Sequence, residues 1–147
     1  MPRIKLEIPA VDPLAEITIP VRIGDINYGN HVGNDAFVAM IHEARVQWLS
    51  KKGYSELEIS GTALIMSDLA VEFKSEAFYG DNIAIKVYAG ELSRVGFELY
   101  YQLTTKRANE TSIILANAKT GMVCYDYSSK KVTGVNDTIK QLLTSCN

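Results

Sequence analysis

Apolar residues recur along this chain with two different periods, and the change of period divides it into elements. Over residues 17–23 the alternate positions Ile17, Ile19, Val21 and Ile23 are apolar, the pattern of a half-buried strand. Residues 24–34 follow with three glycines among short amides and acids, which reads as a loop with special backbone angles. A helix is expected from Asn34 or Asp35, either of which can cap free N–H groups, to about Lys52, with Gly53 as terminator. Ala36, Phe37, Met40, Ile41, Ala44 and Trp48 form one broad apolar stripe on it. Val38, Ala39, Val46 and Leu49 lie on another side, mixed with His42 and Arg45. Such a helix wants more than one packing surface: its own sheet, or a sheet and a partner subunit.

After Gly61 the period drops to two. Leu69, Val71 and Phe73 alternate, as do Ile83, Ile85, Val87 and Ala89, and then Phe97, Leu99, Tyr101 and Leu103. Residues 113–127 read as a long last strand whose phase blurs around Asn117. Turn signals at residues 79–82, 93–96 and 107–110 separate these runs and predict an antiparallel meander. A short helix over residues 135–143 closes the pattern. The order predicts an α+β layer, one long helix against one face of an antiparallel sheet.

Composition narrows the class. At 147 residues the chain suits one domain spanning residues 1–147, with no internal repeat or linker and a loosely held lead-in containing Pro9 and Pro13. A formal charge of −2 supplies no field for nucleic acid. Apolar runs such as residues 113–116 are too short to cross a bilayer, and the first residues lack the apolar core of a signal peptide. Two cysteines make no disulfide framework, so a cytoplasmic setting is expected, with Cys124 a core residue and Cys146 a tail residue.

The segment Asp25-Ile26-Asn27-Tyr28-Gly29-Asn30-His31-Val32-Gly33-Asn34, followed by a helix containing His42-Glu43-Ala44-Arg45, resembles the hotdog thioesterase signature. In that signature Asp-x-Asp-x-x-Gly-His-Val-Asn-Asn precedes a helix with Glu-Ala-Arg. The stretch from Phe73 to Tyr79-Gly80-Asp81, the turn Ser93-Arg94-Val95-Gly96-Phe97 and Ala118-Lys119-Thr120 are also similar to that family, within its 4-hydroxybenzoyl-CoA thioesterase group. The resemblance implies a hotdog fold, a curved antiparallel sheet wrapped around one long central helix. It also implies a homodimer, or a homotetramer, with sheets joined edge to edge and an acyl-CoA bound at the subunit interface.

Thioester hydrolysis needs an oxyanion donor and a group that activates water or attacks the carbonyl. By resemblance the donor is the Asn34 N–H at the start of the helix, where free N–H groups and the dipole favour negative charge. The family's nucleophile or base, the second Asp of Asp-x-Asp, is replaced here by Asn27, whose amide can orient water but is a poor base. Three readings stay open: Asp35 or Glu43 supplies the carboxylate, Asp35 first; Asn27 acts with His31; or the chain binds thioesters without hydrolysing them well. Each candidate has a plainer role. His31 can simply hold the loop, Asp35 can offset the helix dipole, and Glu43 can be an exposed helix residue or pair with an arginine such as Arg45 of a neighbour. Arg94, Lys130 and Lys131 lie in turns and are candidates for the coenzyme A phosphates. No spaced ligand set, nucleophile elbow or phosphate-binding loop is present, so neither a metal nor a cofactor is expected. The leading expectation is acyl-CoA thioester hydrolysis, with a non-catalytic thioester-binding module or an acyl-carrier-protein thioesterase as alternatives.

Overall fold

The computed structural model describes residues 3–108 and 111–144. The chain begins with β1 (Ala15–Pro20) and then forms an 18-residue helix, α1 (Asn34–Lys51). Four long strands follow: β2 (Ala63–Phe73), β3 (Asn82–Leu92), β4 (Gly96–Lys106) and β5 (Ser112–Asp126). The two-residue β6 (Lys131–Val132) and the short helix α2 (Asp137–Leu142) close the described part. All pairings are antiparallel, and the sheet order is β1-β3-β4-β5-β2, with β6 joined to the end of β5.

The expected meander holds for β3, β4 and β5 and fails at β2, which pairs with β5 instead of β3. A tight hairpin would have put β2 beside β3. Residues 74–81 instead carry the chain across the end of the sheet, with the Lys74 and Ser75 N–H groups still bonded to the Leu115 carbonyl. The blurred phase of the last strand is a bulge: Leu103 faces Ala116 while Thr104 faces Ile114, so Leu115 is the extra residue. The first strand stops at Pro20, three residues before its expected end; proline has no N–H to continue the ladder, and residues 23–25 form a 3-10 turn. The last helix starts at Asp137, two residues later than expected, because Asn136 caps it by accepting the Ile139 N–H at 2.9 Å.

One face of the sheet packs on α1. Ile83, Ile85, Val87, Leu99, Tyr101 and Leu103 are fully buried there beneath Met40, Ile41, Ala44 and Trp48. The second apolar side of α1 is only partly covered: Leu49 and Arg45 are buried, whereas Val46 is exposed. The lead-in is anchored rather than loose at one point, since the Leu6 N–H donates to Glu72 Oε1 at 3.0 Å. Cys124 is buried as expected; Cys146 and part of the turn over residues 107–110 lie outside the described residues. No helix among the described residues is long and apolar enough to cross a membrane.

Candidate active site

Two loops and the first turn of α1 meet at one end of the sheet. In the loop after β1, the Asn27 N–H donates to the His31 carbonyl at 2.8 Å and Asn27 Oδ1 accepts the Gly29 N–H at 2.8 Å. Asn30 takes the left-handed conformation (φ 66°) that a short amide tolerates. These bonds close residues 27–31 into a knuckle that presents His31. The Val32 N–H then donates to the Ala77 carbonyl at 2.8 Å, tying the knuckle to residues 74–81.

Gly33, with extended backbone angles, is the residue before the helix, and Asn34 is the first helical residue. Asn34 Oδ1 accepts the Asp35 N–H at 2.8 Å. The Asn34 N–H has no intrahelical acceptor at that position and engages no hydrogen bond among the described residues. Asn34 borders a cavity of about 380 Å³ lined also by His31, Phe37, Phe73, Lys74 and Glu76, among others. Phe37 and Phe73 meet edge to face at 5.6 Å and give it an apolar wall.

The histidine is held in one tautomer. Its Nδ1 lies 3.1 Å from the Val32 carbonyl, which can only accept, so Nδ1 carries a proton, and Nε2 is the nitrogen that engages no hydrogen bond among the described residues. Nε2 stands 3.9 Å from Glu76 Oε1, whose carboxylate is largely exposed. Arg107 fixes the loop that carries Glu76: it donates to the Glu76 carbonyl at 2.8 Å and to Asp81 Oδ2 at 2.9 Å, and stacks on Phe78. Burial raises the Asp81 pKa, but the bond from Arg107, the Phe78 N–H and the Arg107 charge more than offset it. The carboxyl therefore titrates below its ordinary range.

The other sequence candidates are not all gathered here. Asn27 shapes the knuckle, with its Oδ1 taken by Gly29, and does not border the cavity. Asp35 is exposed and folds back toward Gly33, away from the cavity lining. Glu43 lies on the opposite flank of α1, about 14 Å further along its axis, where it accepts from Gln47 Nε2 at 2.6 Å. There it borders a separate cavity of about 430 Å³ with Arg22, Asp25 and Met40. Arg94 and Lys130 are exposed at the far end of the sheet, roughly 25 Å along β5 from Phe73. Glu76, Phe73 and Lys74 were not singled out from sequence, although all three fall in the stretch that carried the family resemblance.

A buried polar chain lies further down the same flank of α1. Arg45 donates through Nε to Glu56 Oε2 at 2.8 Å and through Nη1 to Tyr101 Oη at 3.2 Å. Tyr101 Oη lies 2.7 Å from Thr120 Oγ1, and His42 Nε2 lies 2.7 Å from Glu56 Oε1. Arg45 thus pairs within its own chain rather than with a neighbour's Glu43. Burial lifts the Tyr101 pKa despite Arg45, so the phenol stays protonated.

The Thioesterase-like superfamily profile matches residues 21–143, and the chain belongs to that family. No curated protein sequence matches the chain. Among solved structures, the chain is similar to a protein from Pseudomonas aeruginosa described as a candidate thioesterase (22% identity, TM-score 0.79, 90% of this chain and 100% of that one). It is similar to a 1,4-dihydroxy-2-naphthoyl-CoA thioesterase from Synechocystis (21% identity, TM-score 0.76, 87% and 93%). It is also similar to a 4-hydroxybenzoyl CoA thioesterase mutant, Asp replaced by Asn, complexed with 4-hydroxybenzoyl CoA (14% identity, TM-score 0.80, 88% and 98%). The architecture is the hotdog fold of these thioesterases.

Proposed function

We propose that the protein hydrolyses acyl-CoA thioesters to a free acid and coenzyme A, with His31 as the base. The observation that carries this reading is His31, whose Nδ1 faces the Val32 carbonyl and whose Nε2 engages no hydrogen bond among the described residues, lining the same cavity as Asn34. Water attacks the carbonyl carbon as its proton passes to His31 Nε2, and the Asn34 N–H holds the oxyanion. Glu76 offsets the charge of the imidazolium. Collapse breaks the carbon–sulfur bond, and the thiolate takes the proton back from His31. This moves the water-activating role from Asp35, the first candidate from sequence, to His31. Aromatic CoA thioesters are natural first substrates, given what the Synechocystis and 4-hydroxybenzoyl enzymes act on.

The site is completed by a second copy in this proposal. β2 is a free edge of 11 residues with Ile65, Met66 and Phe73 partly exposed, a strand suited to pairing with its own copy. Antiparallel pairing about its middle sets Phe73 of one chain beside Ala63 of the other. That places the partner's Arg94 and Lys130 end of the sheet next to the His31 cavity, within reach of a coenzyme A tail. A homodimer is the minimum assembly, and a tetramer is compatible with it.

Turnover of benzoyl-CoA and of straight-chain acyl-CoAs by wild type and His31→Gln tests the proposal: brisk hydrolysis lost on the order of 10²-fold or more is expected. Asn27 at the position of the family carboxylate favours one competing reading, a thioester-binding module. Tight binding of these CoA thioesters with no turnover would establish it instead. Comparing the same acyl groups on a carrier protein separates the third reading.

A further inference from the structure

Among the residues that line the His31 cavity there is one lysine, and the hydrolytic steps set out above give it no task. Lys74 borders the cavity together with His31, Asn34, Phe37 and Phe73. It is the first residue after β2, and its N–H donates to the Leu115 carbonyl at 2.8 Å, which fixes its backbone to the end of the sheet. Phe73 turns toward the helix to meet Phe37, and strand alternation turns Glu72 to the outer face. There Glu72 Oε1 accepts the Leu6 N–H at 3.0 Å, and Glu72 Oε2 stands 3.4 Å from Lys74 Nζ. Glu72 does not line the cavity, so the counter-ion of Lys74 sits outside it, held by the lead-in.

That pair leaves Lys74 able to take a second partner. The contact is long and the lysine side chain is 40% exposed, the kind of ion pair that contributes little and exchanges partners readily. An ammonium group also has three protons to donate, more than one carboxylate engages. Glu76 is the carboxylate of the cavity lining, and at 62% exposure its side chain is screened by solvent.

Size decides which part of a substrate meets Lys74. A round cavity of about 380 Å³ is about 9 Å across, room for one benzoyl ring with a substituent. The pantetheine arm of coenzyme A is uncharged and longer than that, so the phosphates lie beyond the cavity when the thioester carbonyl sits at the Asn34 N–H. An anion that reaches Lys74 therefore belongs to the acyl group. The rings of Phe37 and Phe73 suit an aromatic body for it.

We propose that Lys74 is a specificity-determining residue, which pairs with a carboxylate carried on the ring of an aromatic acyl group. The inference rests on the thioester reading above and names the acyl class that the site favours.

The test compares 3- and 4-carboxybenzoyl-CoA with 3- and 4-methylbenzoyl-CoA in kcat/KM, and their thioether analogues, which cannot be hydrolysed, in Kd by calorimetry. The expected result is a preference of roughly tenfold for at least one carboxylated ring in both measures, the worth of one hydrogen bond to a charged group. Lys74→Gln removes the charge and brings each pair to parity, Lys74→Arg retains the preference, and Lys74→Glu inverts it, with thermal melting confirming that the variants fold. Parity in the wild type at both ring positions, or a preference that survives Lys74→Gln, overturns the inference. If no thioester is hydrolysed, calorimetry decides alone: tighter binding of a carboxylated analogue, lost in Lys74→Gln, upholds the role of Lys74 while the hydrolytic reading falls.

Discussion

The two flanks of α1 both border a sheet edge, and they differ in what that edge offers. On one flank β1 is six residues long and ends in Pro20, and its outward Glu16 faces Lys86 of β3. A short strand with charges and a terminal proline resists pairing with another chain. On the other flank β2 is 11 residues long, with Ile65 and Met66 exposed at 37% and 42%. The free Asn34 N–H, His31 and the buried Arg45 chain all lie on the β2 flank. Glu43 lies on the β1 flank, where it accepts from Gln47 Nε2. The difference teaches that the longer, more apolar edge and the residues of the proposed site lie on the same side of the helix.

Breaking the β2 edge is expected to have the largest effect. Ile65→Lys with Met66→Lys places two charges on the strand, and should give a monomer by light scattering together with loss of measurable turnover. An active monomer would separate the flank from the chemistry. Next in size is His31→Gln, at on the order of 10² to 10⁴-fold in kcat/KM, with the thermal midpoint little changed. Asn27→Ala should lower turnover by about tenfold through the loosened knuckle, whereas Asn27→Asp should preserve or raise it. The Gly29 bond survives in Asn27→Asp, and a carboxylate oxygen takes the place of Nδ2. The smallest effects belong to the exposed carboxylates: Asp35→Asn and Glu43→Gln should each stay within about twofold, since neither borders the cavity. A large loss in Glu43→Gln would erase the distinction between the flanks.

Acid tests the loop that carries Glu76. The folded Asp81 pKa lies below its unfolded value, so its contribution to stability is full above the unfolded carboxylate range, near pH 4, and fades as pH falls through the folded value. Chemical denaturation at a series of pH values should show this acid-side slope in the wild type. Arg107→Gln should flatten it, because the guanidinium is the partner that holds the folded value down.

Period and turn chemistry exposed most elements, because Ile83 to Ala89 and Phe97 to Leu103 alternate without interruption. The sheet order was hidden, since it depends on where residues 74–81 cross the sheet end, and no local pattern encodes that crossing. The knuckle was visible as a glycine-rich loop through its resemblance to a family motif, and His31 and Asn34 came with it. Glu76 was invisible as a site residue because its proximity to His31 arises from one long-range bond, Val32 N–H to the Ala77 carbonyl, and from Arg107 on a distant strand. From sequence, Arg45 lies on the second side of the helix and is a partner for a neighbour's Glu43; only the path of residues 52–62 brings Glu56 under it.

The strand order β1-β3-β4-β5-β2 also sets a timetable for assembly. β3, β4 and β5 are neighbours in sequence as well as in space, so their pairing closes short loops and is expected first. β1 and β2 each reach their places only across long stretches of chain and are expected last. Until then β3 and β5 present raw edges of 11 and 15 residues, open to the wrong strand or the wrong chain. Pulse-labelled hydrogen exchange during refolding should find the β4 amides protected before those of β2. Crowded refolding should lose yield through β5, the strand whose proper neighbour arrives late.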